Sequence, residues 1–350
     1  MSENLNLNAI DLFSGCGGLS VGMHKAGFNV IAAIEIAPAA VETYKLNHKK
    51  TNIFQEDIRS FNSQKMVDLL KGQPLHLLAG CPPCQGFSSV RRLNRKTPAS
   101  DDRNNLVKEY FRLIDELKPL TIMMENVPAL KDYGLFQKIV KRLKKDYKID
   151  LDVVDIKDYG IAQRRKRLVM VGSRLGVIDI AKRKYPKMTV RKVIEKLESV
   201  HSSNDPAHKI TTMHTDKILE MIKLIPLDGG SRKDLPKKYI LDCHKKKNIG
   251  FNDIYGRLRW DDYSTTITGG CLNPSKGRFL HPEEHRAITI REAALIQSFP
   301  RRYKFPVDKI SKTNLALQIG NALPPKFSKI QCSNIKKHIE YHLKNDQSVR

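Results

Sequence analysis

Short apolar runs recur along the first half of the chain, each closed by turn residues. Leu7 to Phe13, Val30 to Ile34, Ile53 to Asp57, Leu75 to Ala79, Thr121 to Met124, Leu151 to Ile156 and Leu168 to Gly172 read as strands. Between them, Leu19 to Ala26 and Phe136 to Tyr147 have helical spacing, as do Leu106, Tyr110, Leu113, Ile114 and Leu117. Near-continuous apolar strands that alternate with helices predict an α/β domain of the doubly wound, Rossmann-like kind.

The alternation fades after about Arg174. Polar, turn-rich sequence follows, including Asp228-Gly229-Gly230-Ser231-Arg232-Lys233 and Lys245-Lys246-Lys247. Gly256 to Thr268 has the β-propensity of one or two hairpins. Helical spacing returns at Ile290 to Phe299, and Gln318 to Pro325 leads a last helix to about His342. The expected layout is a first domain over 1–174 and a smaller, β-rich domain over 175–290. A hinge and return segment follows over 291–317, then a C-terminal helix over 318–350 that completes the first domain.

Chemistry concentrates at Gly80-Cys81-Pro82-Pro83-Cys84-Gln85-Gly86-Phe87-Ser88. Two prolines stop the preceding strand and stiffen the turn. Open α/β sheets place ligands at the C-terminal edge of their strands, so a cysteine there is a candidate nucleophile. Cys-x-x-Cys also suits a redox pair or a zinc site. A structural zinc needs two further ligands at short spacing, and Cys16, Cys243, Cys271 and Cys332 form no second pair.

Ser14-Gly15-Cys16-Gly17-Gly18 is a glycine turn between strand and helix, where backbone can approach a ligand and the helix N-terminus favours negative charge. Glu35 follows about 20 residues later, a spacing suited to ribose hydroxyls. Asp57 ends a third strand, placed for an adenine amino group. The three together fit a dinucleotide or S-adenosylmethionine equally well. Glu125 ends a buried strand, where burial favours a protonated carboxyl suited to acid–base work. In Gln163-Arg164-Arg165-Lys166-Arg167, strand alternation puts Arg165 and Arg167 on one face.

Charge narrows the partners. The 62 basic residues exceed the 37 acidic ones, a formal net charge of +25 that predicts a polyanion such as nucleic acid. One Trp and 7% aromatics disfavour a single-strand binder built on stacking platforms. No apolar run reaches membrane length, and Met1 to Asn8 is polar, so a cytoplasmic protein with reduced cysteines is expected.

Asp11-Leu12-Phe13-Ser14-Gly15-Cys16-Gly17-Gly18, Pro83-Cys84-Gln85, Glu125-Asn126-Val127, Gln163 to Arg167, Arg291-Glu292-Ala293-Ala294 and Gly320-Asn321 occur in that order. In this order they resemble the motifs of the DNA cytosine-C5 methyltransferases of bacterial restriction–modification systems, over nearly the whole chain. The resemblance implies S-adenosylmethionine as methyl donor, no metal, and a flipped-out cytosine in double-stranded DNA as substrate. It implies catalytic roles for Cys84, Glu125, Arg165 and Arg167, with Cys84 adding to C6 of the base. Cofactor contacts fall to Phe13, Ser14, Gly15, Gly17, Gly18, Glu35, Asp57, Pro83, Leu106 and Asn321. Asn321 is also similar to the residue that shapes the turn behind the cysteine.

DNA contacts fall to Ser88, Arg91, Arg103, Gln163, Arg232 and Thr266, with 175–290 as the target-recognition domain. The implied protein is a monomer, nucleoid-associated when on DNA, with any cognate restriction endonuclease acting separately. Two positions depart from the pattern. Ile36 stands where an aromatic often stacks on adenine, and Asn104 where glycine is common. A tRNA cytosine-C5 methyltransferase of the same fold would carry a Cys-Phe-Thr stretch, absent here. A non-enzymatic DNA-binding relative would be expected to lose Cys84 or Glu125. A nicotinamide oxidoreductase leaves the arginine run and the charge unexplained.

Overall fold

A computed structural model of the protein describes residues 6–83, 106–182, 184–239 and 253–345. The chain divides into two compact units. The first comprises Met1–Asp155, Lys166–Arg183 and Leu323–Arg350; the second comprises Ile156–Arg165 and Lys184–Ala322. The sequence-based boundaries at 174, 290 and 317 followed composition, whereas these follow contacts.

All seven anticipated strands form one sheet in the first unit. They are β1 (Asn8–Leu12), β2 (Asn29–Ile34), β3 (Asn52–Phe54), β4 (Leu77–Gly80), β5 (Thr121–Asn126), β6 (Lys148–Asp155) and β7 (Lys166–Ser173). Their order is β3-β2-β1-β4-β5-β7-β6. The first five strands pair in parallel, whereas β7 runs antiparallel to both β5 and β6. Every residue of β1, β4 and β5 is buried, as expected for central strands covered on both faces.

The helix Leu106–Leu117 turns Val107, Tyr110, Phe111, Leu113 and Ile114 to the sheet. They join Ile10, Leu12, Leu78, Ile122 and Met124 in one apolar cluster, where each side chain's burial is worth about 1.5–3 kcal/mol. The Tyr110 hydroxyl also donates to the Leu78 and Met123 carbonyls, at 3.3 and 3.0 Å. The last helix, Pro325–Asn345, buries Phe327, Cys332, Ile335 and Ile339 on one stripe. Its Ser328 hydroxyl reaches the Gly18 carbonyl at 3.3 Å. The expected lead-in at 318–321 is instead the end of a separate helix, Lys312–Asn321, in the second unit. Among the described residues no helix is long and apolar enough to cross a membrane.

The second unit departs from the hairpin expectation. Its described residues carry only isolated bridges, Gln163 to Ser264, Arg257 to Leu280 and Leu280 to Ala287, among short helices. A turn-rich sequence leaves backbone carbonyls without ladder partners, and buried arginines satisfy them. Arg257 is fully buried and donates to the carbonyls of Ile222, Ile225, His281 and Glu284. Arg286 pairs with buried Glu292 through two bonds of 2.8 Å, and Glu292 completes the capping box of the helix Ile290–Ile296 with Thr289. Arg291 engages Asp205 and the Tyr303 carbonyl.

Arg286 also pairs with half-exposed Glu284 at 2.7 Å, so Glu292→Leu should destabilise the protein by about 1–3 kcal/mol, the cost of losing one of two carboxylate partners and a helix cap. Removing both carboxylates, Glu292→Leu/Glu284→Leu, should cost about 3–5 kcal/mol, because only that strands the buried guanidinium. Denaturant titration checks both, and an unchanged midpoint for the single variant would contradict the structural role.

Candidate functional site

The first unit builds its site at the C-terminal ends of β1, β2, β4 and β5. After β1 the backbone turns sharply, with positive φ at Phe13 (58°), Gly15 (54°) and Gly17 (92°). Only the glycines adopt this region without a steric cost, so Phe13 is a strained position inside the turn. The Ser14 amide donates to Ile34 at 3.0 Å, and the Gly17 amide to Ser14 at 2.9 Å. Gly17 caps the helix Gly18–Ala26, whose first amides lack intrahelical partners.

Glu35 braces this turn. Its Oε2 accepts from the Gly15 amide and its Oε1 from the Ala37 amide, both at 2.8 Å. Each oxygen retains a lone pair, so the carboxylate is oriented without being used up. Among the described residues, a side chain added at Gly15 would meet nothing within 4 Å, and the buried Ser14 hydroxyl has no hydrogen-bond partner. An open turn at a helix N-terminus, with a buried hydroxyl and a fixed carboxylate, suits a ligand carrying both a carboxylate and ribose hydroxyls. Ile36 is 58% exposed beside it. Asp57 is less available: Arg59 engages both its oxygens and holds its carboxyl below the usual range. Leu106 opens its helix half-buried.

Beneath the turn lies a buried polar chain that periodicity could not reveal. Asp11 Oδ2 accepts from the Ser20 hydroxyl at 2.6 Å, and Ser20 shares a 2.7 Å hydrogen bond with Tyr44. Burial pushes the Asp11 carboxyl up to about 7, against the opposing Ser20 bond.

At the end of β4 the Cys81 amide donates to the Leu12 carbonyl at 3.3 Å, and the residue is half-buried. Asn126, at the end of β5, donates to the Pro82 carbonyl at 2.9 Å and so ties the proline turn to β5. Pro83 is half-buried. Cys84, Ser88, Arg91 and Arg103 lie outside the described residues. Glu125 is 6% exposed, and its Oε1 stands 2.7 Å from Arg167 Nε. The pair forms because antiparallel β7 brings its first residues to the end of β5, with Asn126 opposite Leu168.

Within the second unit, Arg165 is 4% exposed and its Nη1 donates to the carbonyls of Ile267 (3.2 Å) and Gly320 (3.0 Å). The Thr266 hydroxyl donates to the Arg164 carbonyl at 2.7 Å. Gln163 is buried, its side-chain oxygen accepting from the Ile267 amide. Asn321 ends the helix Lys312–Asn321 in an exposed position. Arg232 is buried and Lys233 exposed, so of these two neighbours Lys233 is the one presented to solvent. Gln297 and Asn126 went unremarked as site residues. Asn126 had a signal in its place directly after Glu125, whereas Gln297 had none in the local pattern.

Comparison with known proteins gives a consistent picture. A family model described as C-5 cytosine-specific DNA methylase matches residues 7–337. The chain is 34% identical over 342 residues to the Type II methylase M.HgiDII of Herpetosiphon aurantiacus, covering 95% of each. It is 31% identical to the Type II methyltransferase M1.HphI of Haemophilus parahaemolyticus, covering 92% of this chain and 84% of that one. Among solved structures, a candidate DNA modification methyltransferase encoded within a prophage (E. coli) superposes with a TM-score of 0.73 at 25% identity. That alignment covers 97% of this chain and all of the other (100%).

The buried acid under the turn makes a pH test available. Folded Asp11 keeps its proton up to about 7, whereas the unfolded group loses it near 3.8. Its contribution is thus fully present below pH 3.8 and is lost as pH rises through about 7. Asp11→Asn should remove this dependence. Denaturant unfolding from pH 4 to 8 should show the variant gaining on the parent by up to a few kcal/mol, at about 1.4 per pH unit. Parallel stability curves for the two proteins would contradict a buried, proton-retaining Asp11.

Proposed function

The chain belongs to the C-5 cytosine-specific DNA methylase family, and from that premise we propose how its residues divide the work. It is a DNA (cytosine-5)-methyltransferase, and its likeness to Type II methylases places it with restriction–modification enzymes. The cofactor we assign is S-adenosylmethionine, which supplies an electrophilic methyl group when bound. The turn from Phe13 to Gly18, with Glu35, would hold it, and the open backbone at Gly15 and the unpartnered Ser14 hydroxyl fit that ligand. Asp57, Pro83, Leu106 and Asn321 are the further contacts proposed, Asp57 by sharing its carboxylate with Arg59.

The substrate is a cytosine flipped out of duplex DNA, since C5 and C6 are out of reach inside the stack. The Cys84 thiolate adds to C6, and the electron pair of the C5–C6 bond makes C5 nucleophilic. Charge that builds on the ring during addition is offset at N3 by a proton carried by Glu125, whose carboxylate charge on giving it up is met by Arg167, and at O2 by Arg165. Arg167 occupies Glu125 Oε1 and so leaves Oε2 for the base. After C5 is methylated, a base removes the C5 proton. That C–H electron pair restores the C5–C6 double bond, and the Cys84 sulfur leaves with its own pair.

The observation that carries this reading is the buried Glu125–Arg167 pair at the end of β5, tied through Asn126 to the proline turn that leads to Cys84. The basic second unit is proposed to read the DNA sequence, with Lys233 and Thr266 toward the backbone and Arg232 as internal support. Ser88, Arg91 and Arg103 are the proposed contacts of the segment after Cys84. The protein would act on DNA inside the cell.

Duplex carrying 5-fluorocytosine at the target should become covalently trapped in the presence of S-adenosylmethionine. Fluorine cannot leave as a cation, so elimination stops with the sulfur–C6 bond intact. Cys81→Ser should still give the trapped band on a denaturing gel, whereas Cys84→Ser should bind DNA without forming it. A trapped peptide mapping to Cys81, or no adduct on a verified site, would refute the assignment.

A further inference from the structure

Gln297 follows the helix Ile290–Ile296 and is fully buried, as is Gln163. Polar side chains at such sites persist only when hydrogen-bonded, and both ends of the Gln297 amide are used. Its Oε1 accepts from Gln163 Nε2 at 2.5 Å, and its Nε2 donates to the Ile319 carbonyl at 2.6 Å. The Gln163 oxygen accepts in turn from the Ile267 amide at 3.2 Å. The two glutamines therefore bridge the backbone at Ile267 to the backbone at Ile319.

Those are the segments on which Arg165 rests, through the carbonyls of Ile267 and Gly320. Gly320 permits their approach, because a Cβ there would fall 2.1 Å from the Thr268 carbonyl carbon. The guanidinium and the glutamine pair thus share one frame: Arg165 takes its orientation from two carbonyls, and the glutamines fix how far apart those carbonyls stand. We infer that Gln297 is a positioning residue for Arg165, acting through Gln163 to hold the Ile267 and Gly320 carbonyls where they orient the guanidinium. This rests on the proposed contact of Arg165 with cytosine O2.

Four proteins test it: Gln297→Met, Arg165→Lys, the double variant and the parent. Single-turnover methyl transfer to duplex DNA, affinity for DNA and for cofactor, and melting temperature are measured for each. Gln297→Met should slow transfer by about 10–100-fold while leaving both affinities within about two-fold, as expected when a reacting group is misaligned rather than lost. In the Arg165→Lys background the same change should cost little more, because coupled residues are not additive. Gln297→Leu, which likewise can make neither hydrogen bond, replaces the methionine variant if that does not fold.

Equal slowing of parent and Arg165→Lys by the Gln297 change would overturn the inference, as would loss of affinity alone or no slowing. If Arg165→Lys itself transferred at the parent rate, the role of Arg165 would fall and this inference with it. That pattern is distinct from equal slowing in both backgrounds.

Discussion

A buried carboxylate needs a partner, and at the end of β5 that partner for Glu125 is Arg167, 2.7 Å away. Left alone, a charge at this depth would cost several kcal/mol. The pairing depends on strand direction. Because β7 runs antiparallel to β5, its opening residues lie beside the last residues of β5. In a parallel β7 they would lie beside Thr121, at the other end of the sheet. The reversed strand is therefore what allows a sheet of parallel central strands to carry an acid and its guanidinium at the edge where ligands bind.

The neighbouring loops lean on the same edge by specific hydrogen bonds rather than by bulk packing. Asn126 holds Pro82, Glu35 holds Gly15, and the Asp11–Ser20–Tyr44 chain lies under the glycine turn. The first two bonds fix backbone that would otherwise be free to adjust. Such positions suit a site whose reacting groups must be held in register without help from regular secondary structure. In the second unit the same solution is used throughout: arginines and glutamines bind carbonyls where a ladder would otherwise serve.

The strands were legible because central parallel strands are buried on both faces and so read as apolar runs. All seven were found, with boundaries off by a few residues. The glycine turn and Glu35 were legible because backbone geometry demands particular residues there. The second unit was not legible as structure. Its order comes from side chains such as Arg257 and Gln297 that meet backbone distant in sequence, and neither hydrophobic period nor turn chemistry encodes such contacts. Cys81 shares the Cys-x-x-Cys spacing with Cys84, yet spacing says nothing of its surroundings: it lies one residue past β4 and is only partly buried.

The central claim is that this chain places a methyl group on C5 of cytosine in DNA. Duplex DNA incubated with the protein and S-adenosylmethionine labelled in its methyl group, then digested to nucleosides and separated, tests it most directly. The account predicts label in 5-methyl-2′-deoxycytidine and in no other nucleoside, and none in RNA treated alike. Label on the exocyclic nitrogen of cytosine or adenine, or in RNA but not in DNA, would contradict it.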